Sequence, residues 1–255
     1  MPCSATSFME NQGMIKRILE IIYPRRCILC RQTRPSETNS ALDLCLNCQK
    51  DLLLIKSSCF QCGIPLPHTK PEQLCGQCLQ HKTSFDHTIS IYHYQNPLVW
   101  LIQEMKFHRQ PAIAHLLGQL MAKQLRDLLP LNSSSLPEVV IPVPLYYKRE
   151  HQRGFNQSEE LAKRISNTIN RPIDNQYIER HSPGQQQSGL NAKQRRKNVK
   201  GIFTIKNKKQ KRYKHVAIVD DVMSTGSTVD EIAKTLKKSG VEKVDIWILA
   251  RASKD

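Results

Sequence analysis

The segment Val216-Ala-Ile-Val-Asp-Asp-Val-Met-Ser-Thr-Gly-Ser-Thr228 packs a strand, an acidic pair, a loop of small residues and a helix start into thirteen positions. Its first four residues are apolar and suit a buried strand, predicted over His215–Val219, with two adjacent carboxylates at the tip. Beyond Thr228, the residues Val229, Ile232, Ala233 and Leu236 recur at helical spacing, and Gly240 is placed as a helix stop. Where such a loop enters a helix, its backbone N–H groups converge and favour a dianionic phosphate. Gly226 allows close backbone approach, and Ser224, Thr225, Ser227 and Thr228 offer hydroxyl donors. A carboxylate beside a phosphate would repel it, so Asp220 and Asp221 must face something else. Ribose hydroxyls and a bound magnesium ion both suit them. On an extended strand the two side chains point to opposite sides. A plain capped helix start, with Asp and Ser/Thr as cap groups, does not require so long a pattern.

Strands and helices alternate around this segment. Thr88–Tyr94 alternates like a strand, and Leu98–Phe107 and Ala112–Leu129 carry apolar residues at helical spacing, interrupted by Pro111. Val139–Val143 reads as a short buried strand, Ser158–Ile169 as a helix, and Ile202–Ile205 and Val244–Leu249 as strands. The expected fold is therefore α/β, a mostly parallel sheet with helices on both faces. Ligands of such sheets bind at the carboxyl ends of the strands.

A leaving diphosphate needs cations, and Pro142–Gln157 supplies them just after a strand. Lys148, Arg149 and Arg153 are read as sharing one loop, and Gly154 permits backbone approach. A third polar stretch, Gln187-Ser-Gly-Leu-Asn-Ala-Lys-Gln-Arg-Arg-Lys-Asn198, follows a structure-poor run and suits a lid. Gln187, Gly189, Arg195, Arg196 and Asn198 are its candidate contacts with a diphosphate; an ordinary exposed loop is the alternative.

Eight of the nine cysteines form four C-x-x-C pairs: Cys27/Cys30, Cys45/Cys48, Cys59/Cys62 and Cys75/Cys78. Each pair aims two thiolates at one point, half of a tetrahedral zinc site. Together they supply two closed, structural four-sulfur sites. Sequential pairing is the simplest, and spacing also permits a cross-braced arrangement. Cys3 stands alone, and His68 and His81 are not needed as ligands because the cysteines fill both sites. Metal binding would supply much of the folding energy of a segment with few large apolar residues.

Charge adds a partner class. Between Lys148 and Lys214 there are eighteen Lys/Arg against five Asp/Glu, a net of +13. Such a block predicts a polyanion, either a phosphorylated small molecule or a nucleic acid; a solvated basic face is the alternative. No stretch reaches the ~18 apolar residues of a membrane span. Met14–Ile22 reads as a short amphipathic helix rather than a signal peptide, so the expected location is cytoplasmic. The domains expected are a tail over 1–24, a zinc-binding module over 25–84 and an α/β domain over 85–255.

The Val216–Thr228 segment resembles the phosphoribosyl-diphosphate signature of type I phosphoribosyltransferases. The resemblance implies that Asp220 and Asp221 bind the ribose hydroxyls and that Ser224, Thr225, Gly226, Ser227 and Thr228 bind the 5′-phosphate. With the cysteine pairs, the VPVPL…RGFNQ segment and the QSGL…RR.N segment, nearly the whole chain, about residues 20–252, resembles the ComF family of competence proteins. That resemblance implies a double zinc ribbon fused to a phosphoribosyltransferase-like domain, structural zinc, and magnesium with the sugar diphosphate. It also implies a role in bringing single-stranded DNA into the cytoplasm during natural transformation, alongside a DNA-uptake helicase or translocation machinery. The polybasic run Lys206–Lys214 lies outside the family core.

If the domain is catalytic, the reaction displaces diphosphate at the ribose anomeric carbon, with Lys148 and Arg153 stabilising the leaving charge. No general base or nucleobase pocket is legible, so the acceptor is open. A salvage phosphoribosyltransferase and a zinc-dependent regulator that uses the site as a sensor are the competing readings. Tyr146, Tyr147, Phe155 and Tyr213 are the few aromatics near the basic block, so base stacking would be modest.

Overall fold

Residue 220 lies on a long central strand, just beyond the point where the neighbouring strand on one side stops. The computed structural model describes residues 26–33, 42–67, 70, 72–108, 110–129, 135–183, 199–206 and 212–252. The expected helix Met14–Ile22, the lid residues Gln187, Gly189, Arg195, Arg196 and Asn198, and part of the Lys206–Lys214 run lie outside them. The chain divides into two compact units at Asp51/Leu52.

The first unit holds the first two cysteine pairs. A bridge between Arg26 and Thr33 and bonds from Cys27 N to Gln32 O (2.9 Å) and Arg31 N to Cys27 O (2.9 Å) close the first turn. The second pair opens helix α1 (Leu46–Lys50).

In the second unit, β1 (His87–His93), β2 (Val139–Pro142), β5 (His215–Met223) and β6 (Lys243–Arg251) form one parallel sheet in the order β1-β6-β5-β2. A separate antiparallel pair is made by β3 (Ile178–Arg180) and β4 (Phe203–Ile205). Among the described residues the unit also contains helices α2 (Gly76–Gln80), α3 (Leu98–Phe107), α4 (Pro111–Leu128), α5 (Tyr147–Arg153), α6 (Gln157–Ile169) and α7 (Ser227–Lys238). Side chains alternate across a strand. Thus Val216 and Ile218 of β5 join Val229, Ile232, Ala233 and Leu236 of α7 in one buried core, while the equally buried Ala217 and Val219 face the layer where α4 and α6 pack together. The expected parallel sheet covered by helices is what the chain forms.

Two local readings change. Strand β5 does not end at Val219: it stays paired with β6 through Asp220↔Ile248, Val222↔Ala250 and Met223↔Arg251, whereas β2 runs out at Pro142↔Val219. Asp has low strand propensity, but pairing with a buried neighbour overrides it. The acidic pair is therefore held rigidly by β6 on one side and opens beyond the end of β2 on the other. Lys148, Arg149 and Arg153 lie on helix α5, not in a loop. No breaker interrupts Tyr147–Arg153, and Gly154 ends the helix in the left-handed region at φ 82°.

The third and fourth cysteine pairs belong to this same unit. Cys59, Cys62 and Cys78 are buried in the core that contains Ile218, Met223 and Ile246. Gly63 (φ +65°) lets that turn press on β1: a Cβ there would stand 2.2 Å from Ser90 Oγ.

Candidate functional site

The loop after β5 and the open ends of β2 and β5 enclose a cavity of about 150 Å³, lined by Asp220, Asp221 and the whole run Val222–Val229, with Lys106, Arg149, Arg153 and Arg180 around it. Gly226 adopts φ 75° and is the N-cap of α7, and no side chain caps that helix. Asp and Ser/Thr do not serve as the N-cap; Thr225 Oγ1 accepts from Ser227 N at a long 3.4 Å, and the next first-turn amides have no side-chain cap. Thr225 Oγ1 and Ser227 Oγ lie 2.9 Å apart across the loop. A Cβ on Gly226 would meet Met223 Cε at 2.7 Å, so glycine is needed for space as well as for conformation.

The acidic pair is held from several elements. Asp220 Oδ1 accepts from Ser158 Oγ (2.8 Å) and from Asp221 N (2.9 Å), which leaves Oδ2 for a ligand. Asp221 is 3% exposed, accepts from Val222 N through Oδ1 (2.9 Å), and pairs through Oδ2 with Lys106 Nζ at 2.5 Å. Burial, and then the neighbouring charge of Asp221, push Asp220 up to about 7. Asp221 already holds Lys106, so Asp220, whose ionised form is disfavoured, is the carboxylate that gains most from a donor or a cation in the cavity.

The segment Arg153–Ser158 turns out to be the scaffold of this pair. Asn156 caps α6 by accepting from Ser158 N (3.0 Å) and donates from Nδ2 to Val143 O (3.1 Å), tying the helix start to the end of β2. Ser158 orients Asp220, and the buried Gln157 accepts from Arg153 Nη1 at 2.9 Å. Arg149 and Arg153 face the cavity, whereas Lys148 is exposed and does not line it. Lys106 and Arg180 were not singled out from the sequence. They lie far from the loop along the chain and carry no local signature, and only the packing of α3 and the β3–β4 pair brings them in. Arg180 donates to Ser182 O (2.9 Å) and Pro183 O (2.6 Å), in the polar run that precedes the predicted lid.

Pairing of the cysteines is sequential. Cys27, Cys30, Cys45 and Cys48 form one cluster, and Cys59, Cys62, Cys75 and Cys78 the other, with the sulfurs of each group all within 4.8 Å of one another. The backbone prepares both sites: Cys45 N donates to Cys27 Sγ (3.4 Å) and Cys75 N to Cys59 Sγ (3.2 Å). In the second cluster the Cys62 contact, against burial, holds Cys59 down near about 4, and the same contact with burial pushes Cys62 up. One thiolate forms at the expense of its neighbours, and a divalent cation is what lets all four ionise together. The donor set fits structural zinc, with no open coordination position.

Residues 107–255 match the phosphoribosyl transferase domain and residues 18–79 the double zinc ribbon domain. Over 230 residues the chain is 41% identical to Competence protein F of Haemophilus influenzae, an alignment covering 89% of this chain and 97% of that protein. The chain belongs to the ComF family. This ComF-family chain is also 35% identical over 228 residues to DNA utilization protein YhgH of Escherichia coli O157:H7 (89% and 97% covered). It is 25% identical over 232 residues to Competence protein ComFC of Bacillus subtilis (84% and 89% covered). The double zinc ribbon match and the two cysteine clusters together support two structural zinc ions. No helix among the described residues is long and apolar enough to cross a membrane.

Proposed function

We propose that this chain binds phosphoribosyl diphosphate with magnesium and acts in natural transformation, handling incoming single-stranded DNA in the cytoplasm. One observation carries the ligand assignment: a single cavity gathers the uncapped start of α7, a carboxylate pair and three arginines. That combination matches a ligand with a 5′-phosphate, ribose hydroxyls and a diphosphate. In this reading the amides and hydroxyls of Ser224–Thr228 hold the 5′-phosphate, and Asp220 and Asp221 accept from the ribose hydroxyls. Arg149 and Arg153 serve the diphosphate from α5, while Lys148, outside the cavity, adds only to the surrounding positive field. Magnesium would neutralise part of the diphosphate charge, with Asp220 Oδ2 as the protein oxygen nearest to hand. The names of the relatives, competence protein and DNA utilization protein, support the biological role.

Isothermal calorimetry with magnesium and phosphoribosyl diphosphate should show binding to the parent chain. An Arg153→Ala substitution should weaken it by about tenfold or more, the scale of one lost charge-assisted hydrogen bond. Equal affinity in the two proteins would remove α5 from the site, and no binding by the parent would remove the ligand.

Single-stranded DNA should bind in a salt-dependent way, with log K falling by about 0.7 per phosphate neutralised as log salt rises. Tyr147, 64% exposed beside Lys148, is the aromatic best placed to stack on a base. Binding that is absent, or indifferent to salt, would separate this chain from direct DNA handling. Loss of ligand binding without loss of transformation would separate the cavity from the biology.

A further inference from the structure

Arg251, the last residue of β6, is 5% exposed, and among the described residues no carboxylate lies within ion-pairing distance of it. Its guanidinium donates instead to backbone carbonyls of three segments. Nε reaches Cys62 O at 2.9 Å, in the turn of the second cysteine cluster. Nη1 reaches Met223 O at 2.9 Å and Ser224 O at 2.5 Å, at the root of the phosphate loop, and Ala252 O at 2.7 Å. A buried cation with no anion nearby is costly. A zinc ion with four thiolates has a formal charge of −2, and here it would sit against the Cys62 turn as the missing counter-charge.

A second set of contacts runs in parallel. After Cys78 and α2, Ser84 N donates to Asp230 Oδ1 at 2.6 Å, pinning the segment to the first turn of α7. Asp86 accepts from Lys237 Nζ (2.7 Å) and from Val244 N (2.8 Å). Between the cluster and the loop lies a cavity of about 640 Å³, walled by Cys62, Cys78, Phe85, Gly226 and Arg251 among others. Phe85 is buried, and its Cζ is 4.0 Å from where a Cβ on Gly226 would stand. The back of the phosphate loop is therefore tied to the cysteine cluster across this cavity by Arg251, and rests on Phe85 of the segment that follows the cluster.

We propose that the Cys59/Cys62/Cys75/Cys78 site is a positioning element for the phosphate loop, with Arg251 as the residue that transmits it, so that metal occupancy there and ligand binding at Ser224–Thr228 are thermodynamically linked. The ligand half of this linkage rests on the phosphoribosyl-diphosphate reading above. Linkage is reciprocal: if metal in the site favours the binding conformation of the loop, ligand on the loop must tighten the metal by the same factor. Coupling of this kind typically reaches about 5–150-fold.

The test uses the full chain loaded with two zinc ions and titrated with a zinc-selective chelator, with and without magnesium and phosphoribosyl diphosphate. The ligand should shift the release of one zinc equivalent by about tenfold and leave the other unmoved. In a Cys30→Ser chain, which retains the second site alone, the remaining equivalent should be the one that shifts. Arg251→Lys keeps the charge but loses the fork that reaches both segments. It should still bind two zinc ions, with ligand affinity and shift both reduced. Ligand binding with neither equivalent shifted, or a full shift in Arg251→Lys, would overturn the proposal. If the parent binds no ligand at all, the functional reading fails instead. Hydrogen exchange at the amides of Met223–Thr228 in the Cys30→Ser chain then decides the linkage: faster exchange on zinc removal supports it, and unchanged exchange rejects it.

Discussion

At pH 8, an Asp220→Asn chain is expected to melt higher than its parent and to have lost most of its affinity for phosphoribosyl diphosphate. Both halves follow from one carboxylate. Asp220 is pushed up to about 7, first by burial and then by the charge of Asp221, whereas an unfolded Asp titrates near ~3.9. Between those values the folded chain holds a proton that the unfolded chain has released. Stability is therefore highest below the unfolded value and falls as pH rises through the folded one. At pH 8 both states are ionised, and the folded state carries the full cost of the buried charge. Asparagine never ionises, and its Oδ1 can still accept from Ser158 Oγ and Asp221 N, the two bonds that position the side chain. Relief of about 1 kcal/mol or more would raise the melting temperature by about 2–4 °C. The decline in stability between pH 4 and pH 7 should flatten in the variant. Binding moves the other way. A carboxylate accepting from ribose hydroxyls makes charge-assisted bonds worth about 1.5–3 kcal/mol, so removing the charge should cost about 10–150-fold in affinity. Parent affinity should also rise between pH 6 and pH 8 as Asp220 ionises, and the variant should lack that rise. Thermal melts and calorimetry across this range check both halves. A variant that binds as well as the parent, or melts lower at pH 8, would make Asp220 a structural residue and not a strained functional one.

What could be read from the sequence, and what could not, divides along a physical line. Helix α3 coincides with the predicted Leu98–Phe107 because its apolar spacing and its boundaries at Pro97 and His108 are local properties. The loop after β5 was legible for the same reason: its glycine, hydroxyls and following helix are contiguous. The extension of β5 through the acidic pair was not, because it depends on β6 still pairing with a stretch that looks like the end of a strand. Arg149 and Arg153 were legible as cations near a diphosphate, but the helix that carries them was hidden by their charge, which suggested a loop. Lys106 became visible only once α3 packed and brought its Nζ to Asp221. Spacing permitted two cysteine pairings, and backbone donors to Cys27 Sγ and Cys59 Sγ accompany the sequential one. The sequence reading set 25–84 apart as one module, close to the residues 18–79 that match the double zinc ribbon domain, and the compact units divide within it at Asp51/Leu52. Nothing in the pattern of cysteines could show that the later cluster shares a core with the sheet, since that rests on contacts from β1, β5 and α7.

Removing one ligand from each four-sulfur site should therefore have unequal consequences. Cys62→Ser is expected to abolish or sharply lower the main unfolding transition of the chain, while Cys30→Ser should leave that transition near its parental temperature. Each should lose one zinc. Structural zinc contributes about 10–16 kcal/mol to the folding of small metal-binding peptides, as much as the ~5–15 kcal/mol net stability of a whole domain. What matters is which core bears that loss. Cys59, Cys62 and Cys78 are buried among Ile218, Met223, Val229 and Ile246, the residues that join β5, β6 and α7. Without metal, the thiols of Cys59, Cys75 and Cys78 and the substituted hydroxyl remain in or against that core, and the opened cage cannot repack without moving the strands. Cys30, by contrast, is exposed and belongs to the unit ending at Asp51, whose buried residues include Cys27, Leu44 and Cys48. Its loss should unfold that unit and leave the sheet's own core complete. Calorimetric melts with zinc quantified per chain distinguish the outcomes. Equal destabilisation by the two substitutions would mean that the second cluster is an appendage like the first. A selective collapse with Cys62→Ser would show that the sheet, and with it the floor of the phosphate loop, is built partly from thiolate and metal.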